Sequence, residues 1–340
     1  MKALTGTKAA TIYEVAQRAG VSIATVSRAL RGSELVTEQT RARVRAAAAE
    51  LRFTPNRSGR SLAEGRHAAN GIVFPDLVGP YYAEVVLGYE ETAAGFGSSV
   101  LILTTNGRAD ATAAVRELAG RVDGLAIISQ SAGDDVVEQI AATGLPLVLV
   151  AREPVAGVDT IRTRNEGTAA SLTEHLLAHG HRRFVFLGDP EGAPDVAGRY
   201  AGVSAALAAH GLDAPAPVAC ALDLDSGRRA AAAVLRDRPD AIVAANDEVA
   251  LGVHLAAADH GVRVPADVAL TGWDDLMAAR FAGLTTVAQP MRQLGATAAR
   301  WLHERIAGRH HDDQPAPRRR VLPTQLVVRR SCGPHPPEEQ

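Results

Sequence analysis

Cysteine is scarce in this chain. Cys220 and Cys332 are the only two among 340 residues, and they form no CxxC pair and no closely spaced series. This usage excludes a disulfide scaffold and is typical of a protein that works in a reducing compartment. Aromatic residues are also few, at 4%.

The sequence also lacks segments that would direct it into or across a membrane. No apolar run approaches the length of a membrane span. Residues 1–10 contain lysines but not the apolar stretch of a signal peptide. We therefore expect a soluble, cytoplasmic protein.

Signatures of common enzymes are missing as well. There is no GxSxG elbow, Walker loop, GxGxxG or HExxH motif. His175, His179 and His181 imitate a metal cluster, since histidines four residues apart share one helix face. The stretch HLLAHGHRR is better explained as a helix end whose basic residues interact with the last carbonyls. We therefore predict no catalysis, no metal and no cofactor.

What the chain does have is a marked separation of charge. The formal net charge is −2, but residues 1–66 hold 12 Lys/Arg against 5 Asp/Glu, or +7. The remainder then holds 24 against 33, or −9. A basic head on an acidic body predicts a polyanion that binds the head alone. An apolar content of 46% is enough for two or three domains with sizeable cores.

Residues 11–31 of the basic head, TIYEVAQRAGVSIATVSRALR, are typical of two helices that cross closely. Thr11 and Glu14 have the spacing of a capping box, Gly20 permits a sharp turn, and Ser22 caps a second helix. This spacing predicts a helix-turn-helix whose second helix enters a major groove. An ordinary αα-hairpin is the alternative, which we disfavour because the small residues and the cap fall in register.

The second helix of this motif presents candidate base contacts. Arg28 offers a two-pronged donor for guanine O6 and N7, and Ile23 and Ala24 suit thymine methyl groups. The predicted reading set is Ile23, Ala24, Thr25, Ser27 and Arg28.

A third helix is predicted at residues 38–51, with Thr37 as its cap. Arg41, Arg43 and Arg45 on this helix either reach phosphates or form a solvated basic face.

Residues 55–65, PNRSGRSLAEG, are a predicted linker with weak helical character, because so short a glycine-containing helix is marginal in water. Leu62 is its only large apolar side chain and is flanked by basic residues that include Arg57. Leu62 either docks on the body or wedges between base steps of a minor groove, and composition alone does not decide between them.

From residue 70 onward, short β-branched runs alternate with helical stretches. The alternation predicts parallel sheets covered by helices on both faces, and there are enough strands for two α/β lobes. The predicted strands are Ile72–Phe74, Val100–Leu103, Leu125–Ile128, Leu147–Val150, Phe184–Leu187, Ala241–Ala244 and Val268–Thr271. The predicted helices are Tyr82–Ala94, Ala111–Ala119, Gly167–Ala178, Tyr200–His210, Ser226–Leu235 and Glu248–Asp259. The last predicted segments are Met291–Arg305 and Val321–Val328.

Several longer stretches match one known family in order and spacing. They are residues 11–31 with FTPNRSGRSLAEGR in the head, and GIVFPDLVGPYYAEV, HLLAHGHRRFVFLGDP, AGRYAG, VAANDEVALG, ALTGWDD and LTTVAQP in the body. In these the chain resembles the LacI/GalR transcriptional regulators. The resemblance implies an all-α head on a two-lobed, doubly wound parallel-sheet core of the periplasmic-binding-protein type. It also implies three chain crossings between the lobes and a dimer on a pseudo-palindromic operator.

The resemblance sets the expected domain boundaries. We assign a helix-turn-helix domain, a hinge, an effector-binding and dimerisation domain and a disordered tail to residues 1–54, 55–68, 69–330 and 331–340. The first lobe is expected to comprise about 69–163 and 291–318, and the second about 164–290 and 319–330. The tail has no heptad pattern, which favours a dimer over a tetramer.

The resemblance also implies DNA-binding roles for single residues. Tyr13, Ser22, Thr37 and Asn56 match backbone contacts, and Leu62 matches a minor-groove lever whose helix orders only on the operator. The whole candidate set is Thr11, Tyr13, Ser22, Ile23, Ala24, Thr25, Ser27, Arg28, Thr37, Asn56, Arg57 and Leu62.

Ligands of open α/β sheets bind at the carboxyl ends of strands. Asp76 and Asp274 each follow a predicted strand, where carboxylates accept the paired hydroxyl hydrogen bonds that a sugar offers. Tyr81 and Tyr82 begin the next helix and provide a stacking face.

The resemblance adds further residues to this cleft. They are Arg199 as an effector contact, with Asn246, Asp247, Trp273 and Gln289 near it. Asp247 has the favoured alternative of capping its helix, and Trp273 has the alternative of a place in the core.

One position departs from the family pattern. Ala151 stands where many relatives carry an acidic residue, and we expect Arg152 beside it to redirect what the cleft accepts. The predicted effector is a mono- or disaccharide, with a nucleobase or nucleoside as the alternative.

Together these features predict a sequence-specific transcriptional regulator, expected to be a repressor, whose operator affinity depends on an effector bound between the lobes. The ligand is expected to close the lobes and change the spacing of the paired hinges. The alternative is a sugar- or nucleoside-binding protein of the same fold that does not regulate DNA. The DNA-reading head and the missing signal sequence argue against this alternative.

Overall fold

The computed structural model describes residues 10–30, 32–53, 67–309 and 315–333. The chain divides into two units, Met1–His67 and Ala68–Gln340. Almost all of the expected hinge, with Asn56, Arg57 and Leu62, lies outside the described residues, as does most of the expected tail.

The helices of the described residues are α1 (Ile12–Ala19), α2 (Ile23–Leu30), α3 (Glu38–Glu50), α4 (Pro80–Gly95), α5 (Ala111–Ala119), α6 (Asp134–Ala142), α7 (Glu166–Ala178), α8 (Pro194–Ala209), α9 (Leu224–Val234), α10 (Asp247–Asp259), α11 (Met277–Ala282) and α12 (Met291–Gly308). The strands are β1 (Ala69–Phe74), β2 (Ser99–Thr104), β3 (Gly124–Ile128), β4 (Leu147–Val150), β5 (Asp159–Thr163), β6 (Phe184–Leu187), β7 (Ala241–Ala244), β8 (Ala269–Thr271), β9 (Thr286–Ala288), β10 (Arg319–Leu322) and β11 (Gln325–Val327). Among these, no helix has the length and apolar character needed to span a bilayer.

The first unit is a three-helix head with one small core. The predicted capping box is present at α1, where the Thr11 backbone N–H donates to the Glu14 carboxylate at 2.6 Å and the Thr11 hydroxyl accepts from the Glu14 N–H at 3.4 Å. Gly20 has the left-handed conformation (φ 66°) that the turn after α1 requires. The buried apolar core is Val15, Ala16, Ala19, Val26, Ala29, Val36, Val44, Ala47 and Ala48.

The first lobe of the second unit is built on a six-stranded parallel sheet in the order β2-β1-β3-β4-β5-β10. One face packs against α4 and α12, and the other against α5 and α6. Helices α4 and α12 cross with their backbones nearly touching, because both carry a glycine at the crossing. A Cβ on Gly88 would lie 2.0 Å from the Arg292 carbonyl oxygen, and one on Gly295 would lie 2.0 Å from that of Val85.

The second lobe contains the parallel sheet β6-β7-β8, with an antiparallel pair, β9 and β11, beside it. Alternate residues of β7 face opposite layers. Ala241 and Val243 pack with α7 and α8, whereas Ile242 and Ala244 pack with α9 and α10. The predicted doubly wound, two-lobed α/β class is therefore confirmed.

The chain crosses between the lobes three times, after β5, after β9 and after β10, as the family resemblance implied. The boundary of the last crossing differs from the expectation. Residues 319–322 form β10 of the first-lobe sheet and not part of the second lobe. The predicted continuous segment Val321–Val328 is divided because Pro323 has no N–H with which to continue a strand ladder.

Some elements were missed or placed late by the sequence patterns. Strand β5 has the polar sequence DTIRT, in which Asp159 is buried by ion pairs with Arg305 and Arg318. Helix α8 begins at Pro194 and not at Tyr200, since proline is well tolerated in a first turn. The sequence patterns did not predict helices α6 and α11.

Candidate functional site

The outer edge of α2 offers polar and small apolar side chains to a partner. Ser22, Ile23, Ala24 and Arg28 are exposed, whereas Thr25 and Ser27 are half-buried. The Arg28 side chain makes no hydrogen bond or ion pair within the described residues. The fork of this guanidinium is thus available to a guanine edge.

Three predicted backbone contacts flank this edge. Tyr13 on α1 is 69% exposed and therefore does not pack into the core of the head. Ser22 and Thr37 cap α2 and α3, accepting hydrogen bonds from the N–H groups of Thr25 (3.2 Å) and Thr40 (3.4 Å). The Thr37 hydroxyl also donates to Thr40 Oγ1 at 3.0 Å, and Ser22 Oγ lies 2.9 Å from Thr25 Oγ1, so a phosphate would have to replace these neighbours as acceptor of the hydroxyl proton.

Arg41 does not have the solvated or phosphate-facing position that the sequence allowed. Its guanidinium donates to the carbonyl oxygens of Ser33 (3.1 Å) and Val36 (3.2 Å) and pairs with Glu38. Arg41 therefore holds the turn before α3, and Arg43 and Arg45 are the exposed basic residues of that helix.

In the second unit, Asp274 lies at the junction of the two lobes. It is buried just after β8, and its Oδ1 accepts a hydrogen bond from Gln289 Nε2 at 2.6 Å. The Gln289 Oε1 in turn accepts from the Thr163 hydroxyl at 2.7 Å, at the end of first-lobe strand β5. Burial raises the pKa of Asp274 to about 7, although Arg199 and Gln289 act to lower it. Asp274, Gln289 and Thr163 thus connect the ends of two segments that cross between the lobes.

Arg199 is buried beside Asp274 and held by neutral partners. Its Nη1 donates to the Ala245 carbonyl at 2.7 Å, its Nε to Asn165 Oδ1 at 3.1 Å, and its guanidinium lies 4.7 Å from the centre of the Trp273 ring. Among the described residues, no carboxylate accepts a hydrogen bond from Arg199, and its nearest ion-pair partner, Asp195, is 4.0 Å away.

A second carboxylate, Asp195, belongs to this cluster and was not predicted. It lies one helical turn before Arg199, 4.0 Å from the guanidinium, and accepts from Asn165 Nδ2 at 2.8 Å. Burial raises the pKa of Asp195, and the charge of Arg199 opposes that rise. The i, i+4 spacing of PDVAGR was the available signal.

Two tyrosines of the first lobe face this charged group. The rings of Tyr81 and Tyr82 meet edge to face, 5.3 Å apart. Burial raises the pKa of both phenols, and the negative charges of Asp195 and Asp274 raise them further. The Tyr81 Oη is buried and has no hydrogen-bond partner among the described residues. Aromatic rings and carboxylates from opposite lobes thus line one cleft.

Asp76 lies at the edge of this cleft. It accepts from the Val78 N–H at 3.1 Å and from Asn106 Nδ2 at 2.7 Å. Burial raises the pKa of Tyr82 and that of Glu248 on α10, and the charge of Asp76 contributes to both rises, so Asp76 is near residues of both lobes. The role of Asp76 as a ligand contact stays a prediction.

Asp247 does not cap its helix, contrary to the favoured expectation. Asn246 is the cap, with Oδ1 accepting from the Val249 N–H at 2.9 Å. Asp247 is fully buried and accepts from Thr286 Oγ1 at 2.6 Å and the Leu276 N–H at 2.8 Å. Burial, helped by the charge of Asp274, raises its pKa to about 8. Its connection to the cleft is the charge of Asp274, which acts on its carboxyl group.

The structure also locates Trp273 and Arg152, whose roles the sequence left open. Trp273 is in the second-lobe core and supports Arg199 with its ring, and its role as an effector contact stays a prediction. Arg152 is buried, donates to the Ala132 carbonyl at 2.7 Å and pairs with Asp134. It therefore stabilises the start of α6, and the expectation that it redirects the cleft has no supporting contact among the described residues.

Comparison with known proteins agrees with this division into a head and a two-lobed unit. Residues 11–56 match the model for bacterial regulatory proteins of the lacI family, and residues 173–332 match a periplasmic binding protein-like domain. The chain is 30% identical over 338 residues to the HTH-type transcriptional regulator DegA of Bacillus subtilis, covering 95% of this chain and 98% of DegA.

Solved structures support the same relationship. The lac repressor dimer bound to operator and the anti-inducer ONPF superposes with a TM-score of 0.83 at 29% identity, covering 96% of this chain and all of that one. The regulator CelR in complex with cellobiose gives 0.70 at 31% identity, covering 95% and 99%. The chain belongs to the LacI family of bacterial regulatory proteins and is a transcription regulator, not an enzyme.

Proposed function

We propose that this regulator responds to a neutral, hydroxyl-rich small molecule, of the sugar class, bound between the two lobes of its second unit. The observation that carries the proposal is the convergence of Asp195, Asp274 and Arg199 with Tyr81, whose buried hydroxyl has no partner among the described residues. Buried polar atoms are normally hydrogen-bonded, so this group is suited to a polar ligand.

The charges of the cleft favour a sugar over a phosphorylated ligand. Two carboxylates next to one guanidinium would repel a phosphate, whereas sugar hydroxyls donate to carboxylates and accept from Arg199. The Tyr81 and Tyr82 rings add the apolar contact that sugar faces use. The cellobiose bound by CelR belongs to this class of ligand. A nucleoside is the second candidate, since its base would also stack on tyrosine.

The geometry supports a route from ligand to lobe movement. Asp274 is linked through Gln289 to Thr163 at two crossings between the lobes. A ligand held by Asp274 on one side and by Tyr81 on the other draws the lobes together. Since ligand binding shifts populations only by its preference for one state, the closed form must be the tighter binder.

On the DNA side, we propose that the outer edge of α2 reads a major groove, with Arg28 as its guanine contact. Asn56, Arg57 and Leu62 keep their proposed hinge roles as sequence-based predictions. The lac repressor structure is a dimer on an operator, and we propose the same assembly here, on a pseudo-palindromic site in the cytoplasm.

The test begins with selection of bound duplexes from a random pool, using the purified full-length chain. A thermal-shift screen of mono- and disaccharides and nucleosides then identifies ligands, because binding to the folded state raises its melting temperature. Selection of one pseudo-palindrome with a stabilising sugar supports the proposal. A stabilising sugar without any preferred duplex supports a binding protein that does not regulate DNA.

A further inference from the structure

Three side chains of types that bind metals lie close together at the C-terminal end of α7. They are His175 and His179, one helical turn apart, and Cys332 in the short 3₁₀ turn Arg330–Cys332. His175 Nε2 lies 3.3 Å from Cys332 Sγ, and one ligand atom from each of the three lies within 4.8 Å of the others. The sequence patterns showed the two histidines but not the cysteine, which is 157 positions from His175.

The surrounding contacts hold Cys332 in place. Its side chain is fully buried, and Thr285 Oγ1 lies 2.9 Å from its sulfur. His181 Nε2 lies 3.0 Å from its carbonyl oxygen. The next residue, Gly333, has φ 138°, and a Cβ there would be 3.0 Å from His179 Nδ1. Gly333 is therefore packed closely against the His179 ring.

The donor set and its spacing fit zinc. Zn²⁺ prefers imidazole nitrogen and thiolate sulfur at about 2.0–2.1 Å and 2.3 Å, which places neighbouring ligand atoms about 3.3–3.7 Å apart in a tetrahedron. The observed separations of 3.3 Å to at most 4.8 Å need only small side-chain rotations to match. A fixed scaffold with two histidines on one helix face is a recurrent zinc geometry.

We propose that His175, His179 and Cys332 form a zinc site, with water as the fourth ligand. The metal replaces the thiol proton of Cys332 and joins α7 to the chain segment that returns after the last crossing. His181 is a positioning residue, which orients Cys332 through its carbonyl. The site is independent of the effector cleft.

The experiment uses the full-length chain, freed of metal with a chelator, and titrates it with Zn²⁺ by calorimetry and with Co²⁺ by absorption. We expect one bound metal per chain and a sulfur-to-cobalt charge-transfer band in the near ultraviolet. Cys332→Ser, which retains a hydroxyl near Thr285, should lose that band, and His175→Ala should lose saturable binding. His181→Ala should weaken binding about 10- to 100-fold.

Two matched controls are available. Cys220→Ser changes the other cysteine, and His210→Ala changes a histidine that pairs with Glu174. Both should bind as the unaltered chain does. Weak binding of several metal ions, or unchanged binding in Cys332→Ser, overturns the proposal. Should the variants fail to fold, the cobalt spectrum of the unaltered chain decides alone, since a complex without the sulfur band rules out Cys332 as a ligand.

Discussion

At the scale of single residues, the Tyr81 hydroxyl gives the sharpest test of the cleft. Tyr81→Phe removes a buried oxygen that has no partner among the described residues, so we expect unchanged or slightly increased stability. Sugar affinity should fall by about 1 kcal/mol, or roughly fivefold, because the ligand loses one hydrogen bond. Thermal unfolding with and without sugar measures both effects.

The matched control lies on the same helix. The Tyr89 hydroxyl donates to the Gly71 carbonyl at 3.4 Å within the first lobe. Tyr89→Phe should lose up to about 1 kcal/mol of stability and retain its sugar affinity. Equal sugar affinity in both variants and the unaltered chain would remove Tyr81 from the site.

Asp274 predicts a dependence of stability on pH. Its pKa is about 7 in the folded chain and about 3.9 when unfolded, so folding takes up a proton between these values. Stability contributed by this group therefore falls as pH rises from about 4 to 7. Asp274→Asn stays neutral and still accepts from Gln289. From pH 5 to 8, the unaltered chain should lose on the order of 2 kcal/mol of unfolding free energy relative to the variant.

Chemical denaturation of both proteins at several pH values measures this difference. Parallel pH profiles for the two would mean that Asp274 is solvated and ionised like an ordinary carboxylate.

Not every residue of the cleft was accessible from the sequence. Asp274, Tyr81 and Arg199 follow strands or lie in recognisable motifs, so their positions at the lobe junction were predictable. Asn165 joins them only because the start of α7 packs against α8, which no local pattern records, whereas the i, i+4 spacing of Asp195 to Arg199 was a usable local signal. Asp247 was assigned as a cap because an acidic residue suits a helix start, but its neighbour Asn246 has the capping geometry.

At the scale of elements, the crossing of α4 and α12 depends on glycine. A Cβ on Gly88 would overlap the Arg292 backbone, so Gly88→Ala forces the helices apart and should cost about 1–3 kcal/mol of stability. Gly95, at the end of the same helix, has nothing within 4 Å of an added Cβ. Gly95→Ala should be neutral or stabilising by up to about 1 kcal/mol.

Urea denaturation of the two variants tests this contrast. Equal stabilities would mean that α4 and α12 adjust their crossing without strain.

Element prediction succeeded where one local pattern decides the structure. The helices of the head follow from caps, a turn glycine and apolar stripes between Thr11 and Leu51. Strand β5 was missed because its polar residues Asp159 and Arg162 hide the strand signal, and Asp159 is buried only through arginines over 140 positions away. Ion pairs between residues so far apart in the chain cannot be recognised from a local sequence pattern.

At the scale of the whole molecule, the proposed function requires that sugar binding and operator binding affect each other. Coupling between two ligand sites is typically about 1–3 kcal/mol, a five- to 150-fold change in affinity. By linkage, operator DNA changes sugar affinity by the same factor. Calorimetric titration with sugar gives the change in sugar affinity that operator causes, and titration with operator gives the change in operator affinity that sugar causes. The two should yield the same coupling free energy.

The most direct measurement is fluorescence anisotropy of a labelled operator duplex, titrated with the full-length chain with and without saturating sugar. We predict a sugar-dependent change in operator affinity of at least about fivefold. In Tyr81→Phe, operator affinity without sugar should be unchanged, and more sugar should be needed for the same effect. Identical operator affinity at zero and saturating sugar in the unaltered chain would contradict the account.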